Sequence, residues 1–217
     1  MNSPLKDETL RHIADLTERC AAWRGMEQQV EDAVKTLCTC HRDGGQVLAC
    51  GNGGSAADSE HIVAELVKSF ARKRVLSACD AEKLNGFPDT DLLREKLQPG
   101  IAAISLCSQS ALSTAISNDT ESHLSFAQQT YVYGRSGDIL LAISTSGNSR
   151  NVILALQTAR AFGLKTIGLT GESGGEMARW CDIVFRAPSS ETFRIQEMHL
   201  PLYHTLCLMA EEELFGD

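Results

Sequence analysis

Long apolar runs are missing from this sequence of 217 residues, since none approaches the roughly 20 residues needed to span a bilayer. Basic residues are also in the minority, with 20 Lys and Arg against 28 Asp and Glu and a formal net charge of −8. An acidic chain has no broad electrostatic attraction to nucleic acid or to an anionic membrane. We therefore expect neither as a partner, and we expect any phosphate to be bound by a local site.

Targeting and linker signals are absent as well. The first seven residues, MNSPLKD, are polar and lack the apolar stretch of a signal peptide. The sequence contains no internal repeat and no low-complexity linker, and its length suits one α/β domain. We therefore expect a single cytoplasmic domain over residues 1–217.

The eight cysteines do not form a disulfide framework, because they are dispersed through apolar segments of a chain without an export signal. Most are expected to be buried thiols. The closest metal-like grouping is Cys38, Cys40 and His41, which has no second ligand pair at zinc-finger spacing.

Hydrophobic periodicity predicts an α/β fold. A long helical extension is expected over residues 1–42, with its apolar pattern starting near Lys6 and a break near Gly25. The strand candidates that follow are 47–50, 101–106, 139–144, 166–170 and 183–186, and helices are expected to start near Ala56, Gln109, Asn151, Gly175 and Thr192. This alternation is typical of a doubly wound parallel sheet, which binds ligands at the carboxyl ends of its strands.

Two turns rich in serine and glycine each lie between a strand candidate and a helical pattern: GNGGS at 51–55 and STSGNS at 144–149. Glycines let the backbone turn sharply and approach a ligand, and the free amides of a helix N-terminus favour an anion. The plain alternative is that each turn is only a strand-to-helix connection. Two such turns in one chain favour an oxyanion site.

The segment 75–100 interrupts the alternation and contains a short helical pattern at 91–97. Connections of this length are more often functional or mobile than inert. We treat it as a candidate lid, and the alternative is an exposed insertion without a role in catalysis.

Titratable side chains occur on the helices behind the two turns. His61 and Glu65 are four residues apart and share one helical face, where they can act as acid and base or bind a metal. Gln196 and His204 lie on the C-terminal helix, about 80° apart around its axis, and Pro201 between them supplies a reason for a bend. Taken alone, such pairs are more often surface or structural residues.

Together these blocks closely resemble the sedoheptulose 7-phosphate isomerases, or phosphoheptose isomerases, of the sugar isomerase (SIS) domain family. The resemblance runs from about residue 37 to residue 214, and the order and spacing of its blocks are specific. The blocks are CGNGGS at 50–55, His61 with Glu65, ISTSGNS at 143–149, LTG at 169–171 with Gly174 and Gly175, and RIQEMH at 194–199.

The resemblance implies a three-layer fold, with a five-stranded parallel sheet flanked by helices, and a homotetramer with active sites between subunits. It implies an aldose–ketose isomerase that converts sedoheptulose 7-phosphate to D-glycero-D-manno-heptose 7-phosphate through a cis-enediol, with Glu65 as the base and His204 as the acid. The substrate-binding residues that it implies are Asn52, Gly53, Gly54, Ser55, Glu65, Asn118, Asp119, Ser144, Thr145, Ser146, Ser149 and Gln196.

Some members of the family carry zinc, and its ligands map to His61, Glu65, Gln196 and His204. Two imidazoles with two oxygen ligands suit zinc. Abstracting a proton beside a carbonyl needs a positioned base, and the developing oxyanion needs a donor or a metal. We expect no nicotinamide, flavin or nucleotide cofactor.

The sequence also departs from the family pattern. Ser69 stands where an arginine often follows the catalytic glutamate, which leaves Lys68, Arg72 or Arg74 as substitutes. The segment 75–100 is longer than the usual connection. Two alternatives stay open: an isomerase of another phosphosugar, and a non-catalytic scaffold like the family member that binds the bacterial replication initiator.

Overall fold

The N-terminal extension folds as two helices. The computed structural model describes residues 4–216, so that residues 1–3, the start of the polar N-terminal stretch, and residue 217 lie outside it. Helix α1 (Asp7–Arg19) and helix α2 (Glu27–Arg42) flank a single 3-10 turn at Ala21–Trp23. The predicted break is confirmed at Gly25, where a φ of +83° is a conformation that glycine adopts without strain.

Five parallel strands form one sheet in the order β2-β1-β3-β4-β5. They are β1 (Val47–Cys50), β2 (Ala103–Ser105), β3 (Ile139–Ile143), β4 (Lys165–Gly171) and β5 (Ile183–Ala187). Every residue of β1 and β3 is buried, as expected of strands that are covered by helices on both faces. The predicted α/β fold with a five-stranded parallel sheet is confirmed.

Seven further helices complete the described chain. They are α3 (Gly54–Val67), α4 (Ala78–Lys83), α5 (Thr90–Lys96), α6 (Ser110–Asp119), α7 (Ser125–Tyr133), α8 (Arg150–Ala161) and α9 (Thr192–Phe215). One apolar core joins the sheet to α1, α2, α3 and α9, and a second core joins the sheet to α7 and α8. None of the helices in the described part of the chain is both long enough and apolar enough to cross a bilayer.

Two local expectations were wrong, and two helices were missed. Strand β2 begins at Ala103 rather than at residue 101, because the Ile101 amide donates to the Leu66 carbonyl at the end of α3. The helix expected near Gly175 is one 3-10 turn at Glu176–Arg179. Helices α4 and α7 were not anticipated.

The segment 75–100 forms α4 and α5, and no residue of these two helices is buried. It is held largely by its own contacts, such as the bond from Arg94 Nε to the Ala81 carbonyl at 2.9 Å. Gln98 ties its end to the chain after α3, because its Oε1 accepts the Ser69 amide at 2.8 Å. Its action as a lid stays a prediction.

All eight cysteines are free thiols. Cys38, Cys40, Cys50 and Cys207 are buried, three more are half-buried and Cys79 is exposed. The expectation of mostly buried thiols therefore holds fully for four of them.

Candidate functional site

The two Ser/Gly turns meet at the carboxyl ends of β1 and β3, which are neighbours in the sheet with Cys50 opposite Ala142. Between them lies a cavity of about 310 Å³. The residues that line it are Asn52, Gly53, Gly54, Ser55, Ile143, Ser144, Thr145, Ser149, Thr192 and Gln196. Eight of the twelve predicted substrate residues, Gln196 among them, therefore line this cavity.

The first turn is shaped by its glycines. A Cβ at Gly51 would lie 2.5 Å from the Ser55 carbonyl oxygen, and Gly53 has a φ of +57°. Both positions therefore require glycine, which lets the chain pass directly from β1 into α3. The N-terminus of α3 opens on the cavity, where its dipole and first amides favour an anion.

Hydroxyl groups supply the other wall. Ser144 Oγ donates to Ser149 Oγ at 3.0 Å, so the two serines hold each other at the cavity edge. Ser146 is exposed and does not belong to the lining; its Oγ accepts the Asn148 amide at 3.1 Å and so stabilises the turn.

The two turns are joined by a pair of amides that sequence reasoning did not single out. Asn52 and Asn151 exchange hydrogen bonds through both side-chain amides, at 3.0 and 2.9 Å. Asn151 stands in the first turn of α8, directly behind the second Ser/Gly turn. Its place there is the sequence signal that could have identified it.

Helix α9 closes the cavity with Thr192 and Gln196. Gln196 packs so closely on the first turn that a Cβ at Gly54 would lie 2.5 Å from its Nε2. The absence of a side chain at Gly54 therefore admits Gln196 to the cavity.

A second constellation lies further along α3. His61 Nε2 is 3.4 Å from Glu65 Oε1 and 3.4 Å from His204 Nε2. The predicted base, the predicted acid and His61 are thus neighbours in one chain, and Glu65 is buried. Gln196 lies two helical turns, or about 12 Å, before His204 on α9, so the four predicted metal ligands are divided between this cluster and the cavity.

A cation stands beside Glu65. Lys68 Nζ lies 2.6 Å from Glu65 Oε2. Of the three substitutes considered for the arginine of the family, Lys68 is the one whose charge faces the Glu65 carboxylate, because Arg72 pairs with Glu212 and Arg74 with Glu211.

Arg74 instead stabilises the C-terminal end of α3. It forms a buried ion pair with Glu211 at 2.8 Å, and it donates to the backbone carbonyls of Leu66 and Glu65. Glu211 also accepts three backbone amides, those of residues 70, 71 and 72. Burial alone would raise the pKa of Glu211, but these donors and Arg74 lower it below its usual value.

His61 contacts two further side chains. Tyr203 Oη lies 3.1 Å from His61 Nδ1 and donates to Asp58 Oδ1 at 3.2 Å. Burial raises the pKa of Asp58, and the Tyr203 hydrogen bond and His61 oppose that rise. Sequence reasoning missed both residues, although Asp58 lies three residues before His61 on α3 and Tyr203 directly precedes His204.

Burial and the neighbouring His61 lower the pKa of His204 below its usual value, against the opposing effect of Glu65. These surroundings favour the neutral form of the His204 ring. A neutral imidazole can still donate a hydrogen bond or a proton to a developing oxyanion.

The donor set fits zinc in chemistry and in pair spacing. Tetrahedral zinc with nitrogen and oxygen ligands near 2.0–2.1 Å separates neighbouring donors by about 3.3 Å, and the two separations from His61 Nε2 are 3.4 Å. Within residues 4–216, however, no group of three or more His, Cys, Asp or Glu side chains is arranged to hold a metal ion. The cluster contains ligand types that zinc prefers, but their donor atoms do not surround a single position where the ion could sit.

Two predicted substrate residues, and the histidine that ends the RIQEMH block, lie elsewhere. Asn118 and Asp119 are exposed at the end of α6, where Asn118 Nδ2 donates to Asp119 Oδ1 at 2.8 Å, and neither lines the cavity. His199 is fully buried, and its ring is bonded to the Thr170 carbonyl at 3.1 Å.

Comparison with known proteins relates this geometry to a family. A family model described as SIS domain matches residues 11–82 and 91–171. The match covers both Ser/Gly turns and omits residues 83–90, which lie inside the segment 75–100.

Relatives with related sequences and folds share one name. The phosphoheptose isomerase of Aliarcobacter butzleri (strain RM4018) is 40% identical over 217 residues, which cover 99% of each chain. The solved phosphoheptose isomerase of Neisseria gonorrhoeae is 31% identical with a TM-score of 0.72, covering 95% of this chain and 98% of that one. That of Francisella tularensis is 28% identical with a TM-score of 0.74, covering 95% and 97%.

Proposed function

This chain belongs to the SIS domain family and, within it, to the phosphoheptose isomerases, and we propose that it interconverts sedoheptulose 7-phosphate and D-glycero-D-manno-heptose 7-phosphate. The observation that carries the proposal is the presence of two features on helices α3 and α9. One is an anion cavity at the strand ends, and the other is a cluster of a carboxylate and two imidazoles.

The phosphate is proposed to bind in the cavity. Ser55, Ser144, Thr145 and Ser149 offer hydroxyls, and the N-terminus of α3 adds its amides and its dipole. Three further predicted substrate residues, Ser146, Asn118 and Asp119, do not line the cavity. They are proposed to contact other parts of the substrate. Holding the far end of the sugar positions the reacting carbons and turns remote binding energy into rate.

The reaction is a proton transfer between adjacent carbons. Glu65 takes a proton from C1 of the ketose, the C1–C2 double bond of a cis-enediol forms, and His204 protonates the oxygen on C2. Glu65 then returns the proton to C2, the hydroxyl on C1 gives its proton back to His204, and the aldose results with both residues regenerated. No electrons leave the substrate, so the step requires no redox cofactor.

Zinc is proposed at the same cluster, where His61, Glu65 and His204 would hold it; Gln196, the fourth predicted ligand, lies in the cavity and would have to approach the cluster to complete the set. Zinc held there would supply Lewis-acid polarisation of the substrate carbonyl. Lys68 keeps a positive charge against Glu65 Oε2 and orients the carboxylate.

We further propose a homotetramer in the cytoplasm. The family resemblance supports the assembly. The free thiols support the location, since structural disulfides belong to oxidising compartments.

The test is an NMR assay of purified protein with sedoheptulose 7-phosphate, run beside Glu65→Gln and Glu60→Gln. Glu65→Gln keeps the size of the side chain and removes the base, so turnover is expected to fall by about 10²- to 10⁴-fold. Glu60 lies on the same helix, is exposed and accepts a bond from Ser108, so Glu60→Gln is expected to retain activity.

Near-normal turnover in Glu65→Gln would contradict the mechanism. Absence of turnover in the unsubstituted protein, with the phosphosugar still bound, would point to another phosphosugar as the substrate.

A further inference from the structure

The hydroxyl of Tyr203 occupies an unusual place between α3 and α9. Tyr203 is 1% exposed, and its Oη lies between Asp58 Oδ1 at 3.2 Å and His61 Nδ1 at 3.1 Å. The proposed proton transfer does not use it. Both neighbours stand on the same face of α3, three residues apart.

The protons in this chain of contacts have one favoured arrangement. A phenol has a single proton, and a carboxylate is a stronger acceptor than a neutral imidazole nitrogen. Asp58 Oδ2 is buried without a partner among the described residues, so the Tyr203 hydroxyl is the donor that this carboxylate depends on. With its proton directed to Asp58, Tyr203 Oη is free to accept from His61 Nδ1–H.

The contacts of the other ring nitrogen of His61, Nε2, are consistent with a proton on Nδ1. Nε2 of His61 faces Glu65 Oε1 and His204 Nε2, both at 3.4 Å. Glu65 already receives a much shorter contact from Lys68, at 2.6 Å, and therefore does not depend on a proton from His61. A lone pair on Nε2 then points into the cluster.

We propose that Tyr203 and Asp58 are positioning residues that hold His61 in the Nδ1–H tautomer, with the Nε2 lone pair directed toward Glu65 and His204. Metal-binding histidines commonly have their second nitrogen fixed in this way by a hydrogen-bonded partner. The consequence for zinc and catalysis rests on the proposed function, whereas the tautomer itself follows from the contacts alone.

The Tyr203 ring also limits the orientation of both imidazoles. It meets His61 edge-on, with centroids 5.5 Å apart and planes at 74°, and it meets His204 at 5.1 Å and 88°. Tyr203→Phe keeps these ring contacts and removes only the hydroxyl. The variant therefore separates the hydrogen bond from the packing.

The direct test is ¹⁵N NMR of the histidine rings in chelator-treated protein at pH 8. The chain has six histidines, so the His61 signals can be assigned by their loss in His61→Gln. The unsubstituted protein is expected to show His61 as the Nδ1–H tautomer. Tyr203→Phe is expected to populate the Nε2–H form, and Tyr131→Phe, an exposed tyrosine on α7, is the matched control without effect.

Asp58→Asn is a second variant that keeps nearly the same shape. The Asn amide can donate to Tyr203 Oη, which directs the phenol proton to His61 Nδ1 and leaves the imidazole proton on Nε2. The tautomer is therefore expected to reverse in a folded protein. This variant keeps the proposal testable if Tyr203→Phe does not fold.

Zinc affinity is the second readout, measured by competition with a chelating dye. Both variants are expected to bind zinc about 10- to 100-fold more weakly. An Nε2–H tautomer in the unsubstituted protein, or an unchanged tautomer in both variants, would overturn the proposal. Lack of isomerase activity with the expected tautomer would count against the proposed function alone.

Discussion

At the scale of single residues, Gly54 decides how closely Gln196 approaches the cavity at the strand ends. A Cβ at this position would lie 2.5 Å from Gln196 Nε2, the far end of a flexible side chain. We expect Gly54→Ala to displace Gln196 and narrow the cavity while the fold is kept. Losing one hydrogen bond to a charged group is expected to raise the KM for the phosphosugar about 10- to 100-fold.

Gly51→Ala is the contrasting variant for this prediction. Its Cβ would meet the Ser55 backbone oxygen at 2.5 Å, and a backbone atom inside a helix cannot move aside. Urea denaturation is expected to show a loss of about 1–3 kcal/mol for Gly51→Ala and little change for Gly54→Ala. Equal losses of stability in both variants would contradict the assignment of Gly54 to the binding site.

His199 is expected to make stability depend on pH. Burial lowers the pKa of its ring from 6.5 to about 4. Below pH 6.5 the unfolded chain binds a proton here that the folded chain does not bind until about pH 4. The free energy of unfolding is therefore expected to fall by up to about 3 kcal/mol between pH 6.5 and pH 4 through this residue.

The contribution of His199 to this pH dependence is found by comparing a variant that lacks the imidazole with the unsubstituted protein. Urea denaturation at several pH values is expected to show a flatter pH dependence for His199→Gln than for the unsubstituted protein. His123→Gln, at an exposed position, is the control with an unchanged slope. Parallel slopes for all three proteins would show that His199 does not carry this dependence.

Residue patterns in the sequence identified the parts of the site that are local in the chain. The Ser/Gly turns and the pair His61 and Glu65 need only spacing and residue type to be recognised. Tyr203 escaped notice because its role depends on partners 142 and 145 residues away. Such contacts are set by tertiary packing, which a local pattern does not contain.

At the scale of elements, the C-terminus of α3 depends on the buried pair of Arg74 and Glu211. Their side chains are each 1% exposed, and Arg74 also donates to the Glu65 and Leu66 carbonyls. Arg74→Met leaves a buried carboxylate without its charge partner. We expect it to lower the free energy of unfolding by about 3–5 kcal/mol.

The control for this prediction is Lys83→Met, which breaks an exposed ion pair with Asp80. Exposed pairs contribute about 0–1 kcal/mol, so this variant is expected to remain near the unsubstituted protein in urea denaturation. Comparable effects of the two variants would mean that the buried pair does not hold the helix end.

Strands were predicted better than helices, and the reason is physical. A strand that is buried on both faces is a continuous apolar run, as in β3, and such a run has few other interpretations. Helix α7, with the sequence SFAQQTYVY, combines β-branched and aromatic residues that have weak helix propensity. Its packing against α8 and the sheet, rather than its sequence, makes it helical.

At the scale of the whole molecule, the segment 75–100 is an addition to a complete fold. None of the residues of α4 and α5 is buried, and four large apolar side chains of the segment are exposed: Val75, Phe87, Leu92 and Leu97. The segment leaves and rejoins the chain beside Lys68, through the contacts of Ser69 with Gln98 and of Arg74 with the Pro99 carbonyl. It is thus attached to the part of the chain that faces Glu65.

We expect replacement of residues 78–96 by a flexible Gly/Ser linker to leave the fold stable and to change substrate binding. Because no residue of α4 or α5 is buried, a stability change within about 0.5 kcal/mol and a shift of the thermal midpoint within about 2 °C are expected. The KM for the heptose phosphate is expected to rise several-fold, because the segment is proposed to shape the pocket facing the sugar chain. Unchanged KM values for heptose, hexose and pentose phosphates would show that the segment is an insertion without a role in the pocket. A large fall in the thermal midpoint would show that the segment is part of the cooperatively folding unit.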